Sequence, residues 1–170
     1  MYYRCITLDY MIVDSPTLIL LAKCGLLDLY IKNRNLRIPQ RVKEESIAAQ
    51  DSFDAKLIHE RIKEGKIQAK KIGNIAFYNA LLKDFGIGKG EAEAITLAFE
   101  EKTILLSDDK KAINACKILN IKFKTALNIL VELYRNKTIN NDEAKAYLKE
   151  LVKFGRYSKD LIKKVEEDLQ

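Results

Sequence analysis

Short apolar runs, each closed by a polar or turn residue and each followed by a helical pattern, recur along the whole chain. Tyr10-Met11-Ile12-Val13 ends at Asp14-Ser15-Pro16, Leu36-Arg37-Ile38 ends at Pro39, and Thr103-Ile104-Leu105-Leu106 ends at Ser107-Asp108-Asp109. Lys66 to Ile72 alternates charged and apolar side chains, and Ile121-Lys122-Phe123 forms a fifth short run. The spacing between them predicts helices over 17–23 (with Ser15 as N-cap and Pro16 at the first helical position), 26–31, 39–50, 52–64, 74–85, 91–101, up to Leu119, 125–135, 142–154 and 158–169. Strands that alternate with helices must run parallel, because each crossover returns the chain to the same end of the sheet. The expected fold is therefore α/β, a three-layer α/β/α sandwich around a central parallel sheet of four to five short strands. At 170 residues, with no Ser/Gly-rich linker, repeat or low-complexity block, the chain reads as a single domain over 1–170, with a core of about 10–155 and closing helices within 142–169.

Composition narrows the function. Three cysteines, Cys5, Cys24 and Cys116, are too few and too scattered for a disulfide framework or a zinc ribbon. They read as thiols in a reducing compartment, so a cytoplasmic location is expected. No signal peptide is visible, and the longest apolar run, Leu18 to Ala22, is far short of the roughly 18 residues that cross a bilayer. One histidine, His59, excludes multi-histidine metal sites. An excess of 30 Lys and Arg over 24 Asp and Glu gives a net charge of +6, compatible with a polyanionic partner.

In parallel sheets, sites form just beyond the carboxyl ends of the strands. Asp14 follows the first strand and Asp108-Asp109 follow the Thr103–Leu106 strand, so acids distant in sequence should converge on one rim. Glu91 and Glu93 begin a helix behind the Gly86-Ile87-Gly88-Lys89-Gly90 cluster, about 200° apart around its axis, so at most one faces a cleft squarely. Glu44 and Glu45, one turn into the helix after Pro39, pose the same choice. Clustered carboxylates repel one another, and a hard divalent cation relieves that repulsion. Oxygen ligands without His or Cys suit Mg²⁺ or Mn²⁺. Taken singly, each acid has a simpler use: an Asp after a strand is often a helix cap, and a helical Glu is often solvated. Lys89, Lys110 and Lys111 could meet phosphate or simply water. Tyr2, Tyr3 and Tyr10 could stack on bases or serve packing. Tyr147, Leu148, Leu151, Val152 and Phe154 form a stripe suited to the core or to a protein partner.

Four segments, in order, resemble the PIN domain family. Ile12-Val13-Asp14-Ser15-Pro16-Thr17-Leu18-Ile19 resembles its opening, in which an aspartate ends the first strand. Ile38-Pro39-Gln40-Arg41-Val42-Lys43-Glu44-Glu45 resembles its proline, valine and glutamate stretch, with Glu45 at the glutamate position. Gly88-Lys89-Gly90-Glu91-Ala92-Glu93-Ala94-Ile95 is similar to the Gly-Glu-Ala-Glu-Ala-Ile signature of one prokaryotic branch, and Leu105 to Ala112 resembles its Asp-Asp segment. The resemblance implies an α/β/α fold and a Mg²⁺- or Mn²⁺-dependent endoribonuclease acting on RNA. It also implies a toxin of a toxin–antitoxin pair, working as a homodimer with an antitoxin protein as partner. The acidic catalytic set would be Asp14, Glu45, Glu93 and one of Asp108 or Asp109, with Glu91 also available to metal. Ser15, Lys89 and Thr125 are the candidates for substrate contact. Thr125-Ala126 stands where this branch often has Gly-Thr, and no further aspartate lies near it. That departure motivates a second reading, a catalytically degenerate module that binds nucleic acid or protein. A phospho-acceptor receiver domain fits poorly, because Val13 precedes Asp14 where an acidic pair would be needed.

Overall fold

The computed structural model describes residues 10–48 and 51–170; the expectations for Tyr2, Tyr3 and Cys5, and for the helix end at 49–50, fall outside the described residues. The first half of the chain carries β1 (Tyr10–Val13), α1 (Ser15–Lys23), α2 (Leu26–Ile31), β2 (Asn35–Pro39), α3 (Gln40–Ile47), α4 (Phe53–Lys63), β3 (Ile67–Lys70) and α5 (Ile75–Phe85). The second half carries α6 (Lys89–Glu100), β4 (Leu105–Leu106), α7 (Lys110–Ile118), β5 (Phe123–Lys124), α8 (Ala126–Arg135), α9 (Asn141–Phe154) and α10 (Lys159–Asp168). All strand pairs are parallel and the order across the sheet is β3-β2-β1-β4-β5.

Alternation along the strands builds the layers. Met11 and Val13 of β1, Leu36 and Ile38 of β2 and Leu106 of β4 pack into one core with α1, α2, α8 and α9. Ile12 and Leu105 point the other way, into a core with α5, α6 and α7. The result is the expected α/β/α arrangement, with five strands. Burial on both faces explains why β1 is an uninterrupted apolar run.

From β1 in the middle of the sheet the chain moves outward through β2 and β3, then crosses back to β4 on the other side of β1. The direction of winding reverses between β1 and β4. At such a switch point the connections leave the carboxyl ends of two adjacent strands in opposite directions and open a crevice between them. The register Val13↔Leu106 aligns those two strand ends, so Asp14 and Ser107-Asp108 enter the crevice side by side.

Several element boundaries differ from expectation for local reasons. Asp14, not Ser15, is the N-cap of α1, accepting a hydrogen bond from the Thr17 backbone N–H, with Pro16 in the first turn. The helix expected from Glu91 begins at Lys89, with Gly88 as its N-cap, so Lys89 and Gly90 belong to the first turn. β4 is shortened because Thr103 N–H bonds back to Ala98 O (3.1 Å), closing the turn after α6. β5 begins only at Phe123 because Ile121 N–H is held by Cys116 O (2.9 Å) at the end of α7. Thr125, Ser52, Asn74 and Ser158 cap the helices they were expected to begin.

Candidate active site

Asp14 closes β1 and is fully buried. Its Oδ1 accepts the Thr17 N–H (3.0 Å), the usual service of an N-cap. Its Oδ2 is buried and makes no hydrogen bond among the described residues. Burial pushes the Asp14 carboxyl up from 3.8 to about 7; the Ser107 and Thr17 side chains oppose the rise, and the charge of Asp108 adds to it. A buried acceptor with nothing to accept from is costly in a folded protein. Capping accounts for one oxygen of Asp14; the other has only the nearby Ser107 and Thr17 hydroxyls, whose pull on the charge falls short of the cost of burial.

Asp108 is held beside it. Its backbone N–H donates to Thr17 Oγ1 (2.9 Å), so the same threonine that meets the Asp14 carboxylate through its backbone anchors the β4–α7 loop through its hydroxyl. The Asp108 carboxylate accepts the Ala126 N–H at the start of α8 (3.1 Å to Oδ2) and the Tyr157 hydroxyl (2.8 Å to Oδ1). Burial raises its carboxyl above the ordinary value, and these two donors, with the Thr17 side chain, oppose the rise. Ser107, fully buried and immediately before Asp108 in the chain, accepts the Asp109 N–H on Oγ (3.2 Å). Asp109 itself turns to α7, where Oδ1 accepts the Ala112 N–H (2.8 Å) as N-cap. The two members of the doublet therefore do different work: Asp109 caps a helix and Asp108 faces Thr17, Ala126 and Tyr157.

The glutamates form a second group. The Glu45 carboxylate lies over Gly90, so close that a Cβ at residue 90 would stand 2.6 Å from Oε2. Glycine at this place lets the carboxylate approach the backbone of the first turn of α6. Burial, and then the charges of Glu91 and Glu93, raise the Glu45 carboxyl. Glu93 accepts from Arg41 Nε (3.2 Å), and Glu91 folds back toward Gly88. Glu44 is exposed and accepts from Gln40 Nε2 (3.1 Å), so Glu45 is the member of that pair turned toward α6.

Among the described residues, no three Asp, Glu, His or Cys side chains stand close enough together to hold one ion. The expectation of a single acidic cluster is met only in part: Asp14 and Asp108 are neighbours, while Glu45, Glu91 and Glu93 gather separately. The reason is that Asp108 is drawn toward α8 and Tyr157, and Glu93 toward Arg41. Ser15, a candidate for substrate contact, is buried, with Oγ 3.3 Å from Ser46 Oγ on α3. Thr125 likewise spends its hydroxyl on the α8 capping box with Asn128. Lys89 is exposed and makes no ion pair among the described residues.

Asp14 and Asp108 fit a divalent cation. Mg²⁺ keeps most of its waters and is commonly held by one or two carboxylates, with phosphate oxygens completing the shell. Asp14 Oδ2, without a hydrogen bond among the described residues, is an oxygen of the type such an ion takes.

Three residues at the site escaped the sequence reading. Thr17 lies within the quoted Ile12–Ile19 stretch but was singled out for no role. Arg41 lies within the quoted Pro39–Glu45 stretch, and its spacing from the acids gave no sign that it would reach Glu93. Tyr157, 49 residues beyond Asp108, carried no local signal at all. His59 is exposed, Cys24 and Cys116 are buried, and Tyr10 packs under Arg37, whose guanidinium carbon lies 3.6 Å from the ring centroid.

No curated protein matches the chain. The family model described as DUF3368, a PIN domain, matches residues 10–170, from the first residue of β1 past the end of α10. PIN domains are generally nucleases and typically use divalent metal ions. With that match spanning nearly the whole chain, on an all-parallel sheet whose switch point carries the two aspartates, the protein belongs to the PIN domain family.

Proposed function

We propose that this protein is a Mg²⁺- or Mn²⁺-dependent endoribonuclease whose principal ion site is formed by Asp14 and Asp108. The observation that carries the reading is the fully buried Asp14 carboxylate with one oxygen unpartnered, placed beside Asp108 at the β1–β4 switch point. An ion bound there supplies Lewis-acid stabilisation of the phosphodiester and lowers the cost of ionising a water.

The chain's own residues do the rest. Thr17 fixes both aspartates relative to one another. Glu93, Glu45 and Glu91 stand on the α6 side as the acids that can take up or pass on a proton, or join the ion's outer shell. Lys89, exposed at the first position of α6, is the candidate contact for a phosphate. The overall net charge of +6 favours a polyanionic substrate. Among the described residues no helix is long and apolar enough to cross a membrane.

The toxin role and the homodimer belong to this proposal. Val152, Phe154 and Leu161 are exposed apolar side chains on α9 and α10, which suits a protein surface that pairs with a second copy or an antitoxin. A second reading, a module that binds without cutting, draws on the separation of the glutamates from Asp14 and Asp108.

Incubation with a single-stranded RNA, with Mn²⁺ or with EDTA, separates the two. Cleavage that needs Mn²⁺ and is lost in Asp14→Asn supports the nuclease. Tight RNA binding with no cleavage at any Mg²⁺ or Mn²⁺ concentration supports the binding module.

A further inference from the structure

The contact between Tyr157 and Asp108 has no counterpart in the motifs that define the site. The Tyr157 hydroxyl donates to Asp108 Oδ1 at 2.8 Å, and the ring is half-buried against the core that contains α1, α8 and α9. Its position is built. Gly155, at the end of α9, has no room for a side chain: a Cβ there would stand 2.4 Å from Tyr157 Cε2 and 2.8 Å from Leu151 O. Only residues 155–158 join α9 to α10, and both helices pack on α8, whose first N–H is the other donor to Asp108. Tyr157 and Ala126 thus come from two elements locked to each other.

We propose that Tyr157 is a positioning residue that aims the Asp108 carboxylate at the ion, an inference that rests on the metal-site reading above. An ionised carboxylate has about four acceptor positions. The Ala126 N–H reaches both oxygens, at 3.3 and 3.1 Å, and Tyr157 takes one further position on Oδ1. These donors stop the carboxylate from rotating and leave one acceptor position, on Oδ2, for a cation. Hydrogen-bond partners of a ligating carboxylate typically change metal affinity by about 10- to 100-fold when removed. The α9–α10 segment is thereby tied to the site, although it lies farthest from the β1 aspartate in sequence.

The test is Tyr157→Phe, which keeps the ring that Gly155 accommodates and removes only the hydroxyl. Free Mn²⁺ is measured by electron paramagnetic resonance during titration of the full chain, with circular dichroism in EDTA as the check on folding. The expected result is an unchanged spectrum in EDTA and Mn²⁺ affinity weakened by about tenfold or more. A second variant, Gly155→Ala, displaces the ring, and combined with Tyr157→Phe it should weaken Mn²⁺ binding no further than the stronger single variant. Wild-type affinity in Tyr157→Phe overturns the positioning role while leaving the ion site standing. Tighter binding also overturns it, since the phenol would then compete with the ion. Absence of Mn²⁺ binding in the wild type overturns the metal-site reading and this inference together.

Discussion

Replacing Asp14 by Asn should stabilise the metal-free protein, and the size of the effect follows from its burial. In the unfolded chain an aspartate ionises near 3.8, whereas the buried Asp14 holds its proton to about 7. Between those values the unfolded state binds fewer protons than the folded state, so stability falls as pH rises through the window. Below about 3.8 there is no penalty, and above about 7 it is complete. At about 1.36 kcal/mol per pH unit, the gap between 3.8 and about 7 corresponds to a penalty on the order of 4 kcal/mol. Asn removes the charge and retains an oxygen for the Thr17 N–H, so the cap survives. In a domain of this size, 1 kcal/mol moves Tm by about 2–4 °C. Thermal unfolding in EDTA at pH 8 should therefore place Asp14→Asn above the wild type by up to roughly 8–16 °C. The difference should shrink as pH is lowered toward 4. Mn²⁺ should raise the Tm of the wild type and not of the variant. A variant no more stable than the wild type at pH 8, or a difference independent of pH, would refute the reasoning.

Gly90→Ala should separate stability from activity: alanine favours the helix by about 1 kcal/mol, while its Cβ pushes the flexible Glu45 carboxylate off α6. Denaturant titration should find stability equal or higher, and RNA cleavage should fall; loss of stability with full cleavage would contradict the placement of Glu45. Asp109→Ala should cost about 1 kcal/mol through the lost α7 cap and keep Mn²⁺ binding, whereas Asp108→Asn should lose Mn²⁺ binding. Calorimetric Mn²⁺ titration of the two variants checks this, and the reverse pattern would exchange their roles. Thr125→Ala should cost about 1 kcal/mol by breaking the α8 capping box and leave cleavage intact; a large loss of cleavage at unchanged stability would make Thr125 a substrate contact as well as a cap.

The fold was legible because its signals are local. An apolar run such as Tyr10–Val13 can be a strand only if buried on both faces, and alternation of such runs with helices leaves little choice but a parallel sheet. Asp14 and Asp108 were legible as neighbours because one directly follows β1 and the other stands two residues beyond β4, and strand ends converge by topology. What the sequence hid was orientation. Adjacent carboxylates such as Asp108 and Asp109 look alike until a helix start claims one of them, as Ala112 N–H does. Glu93 was expected to turn to the ion, but Arg41 lies within reach and takes one of its oxygens. Ser15 and Asp14 are both good caps, and the strand register decided between them by ending β1 at Val13. Tyr157 depends on how two terminal helices pack on α8, a long-range fact that no spacing encodes.

Crystals of the protein equilibrated with Mn²⁺ and measured near the manganese absorption edge test the ion site at its source. An anomalous peak within about 2.5 Å of Asp14 Oδ2 and within reach of the Asp108 carboxylate is the expected result. Manganese found only among Glu45, Glu91 and Glu93, or not bound at all while Asp14 Oδ2 remains without a partner, would contradict it.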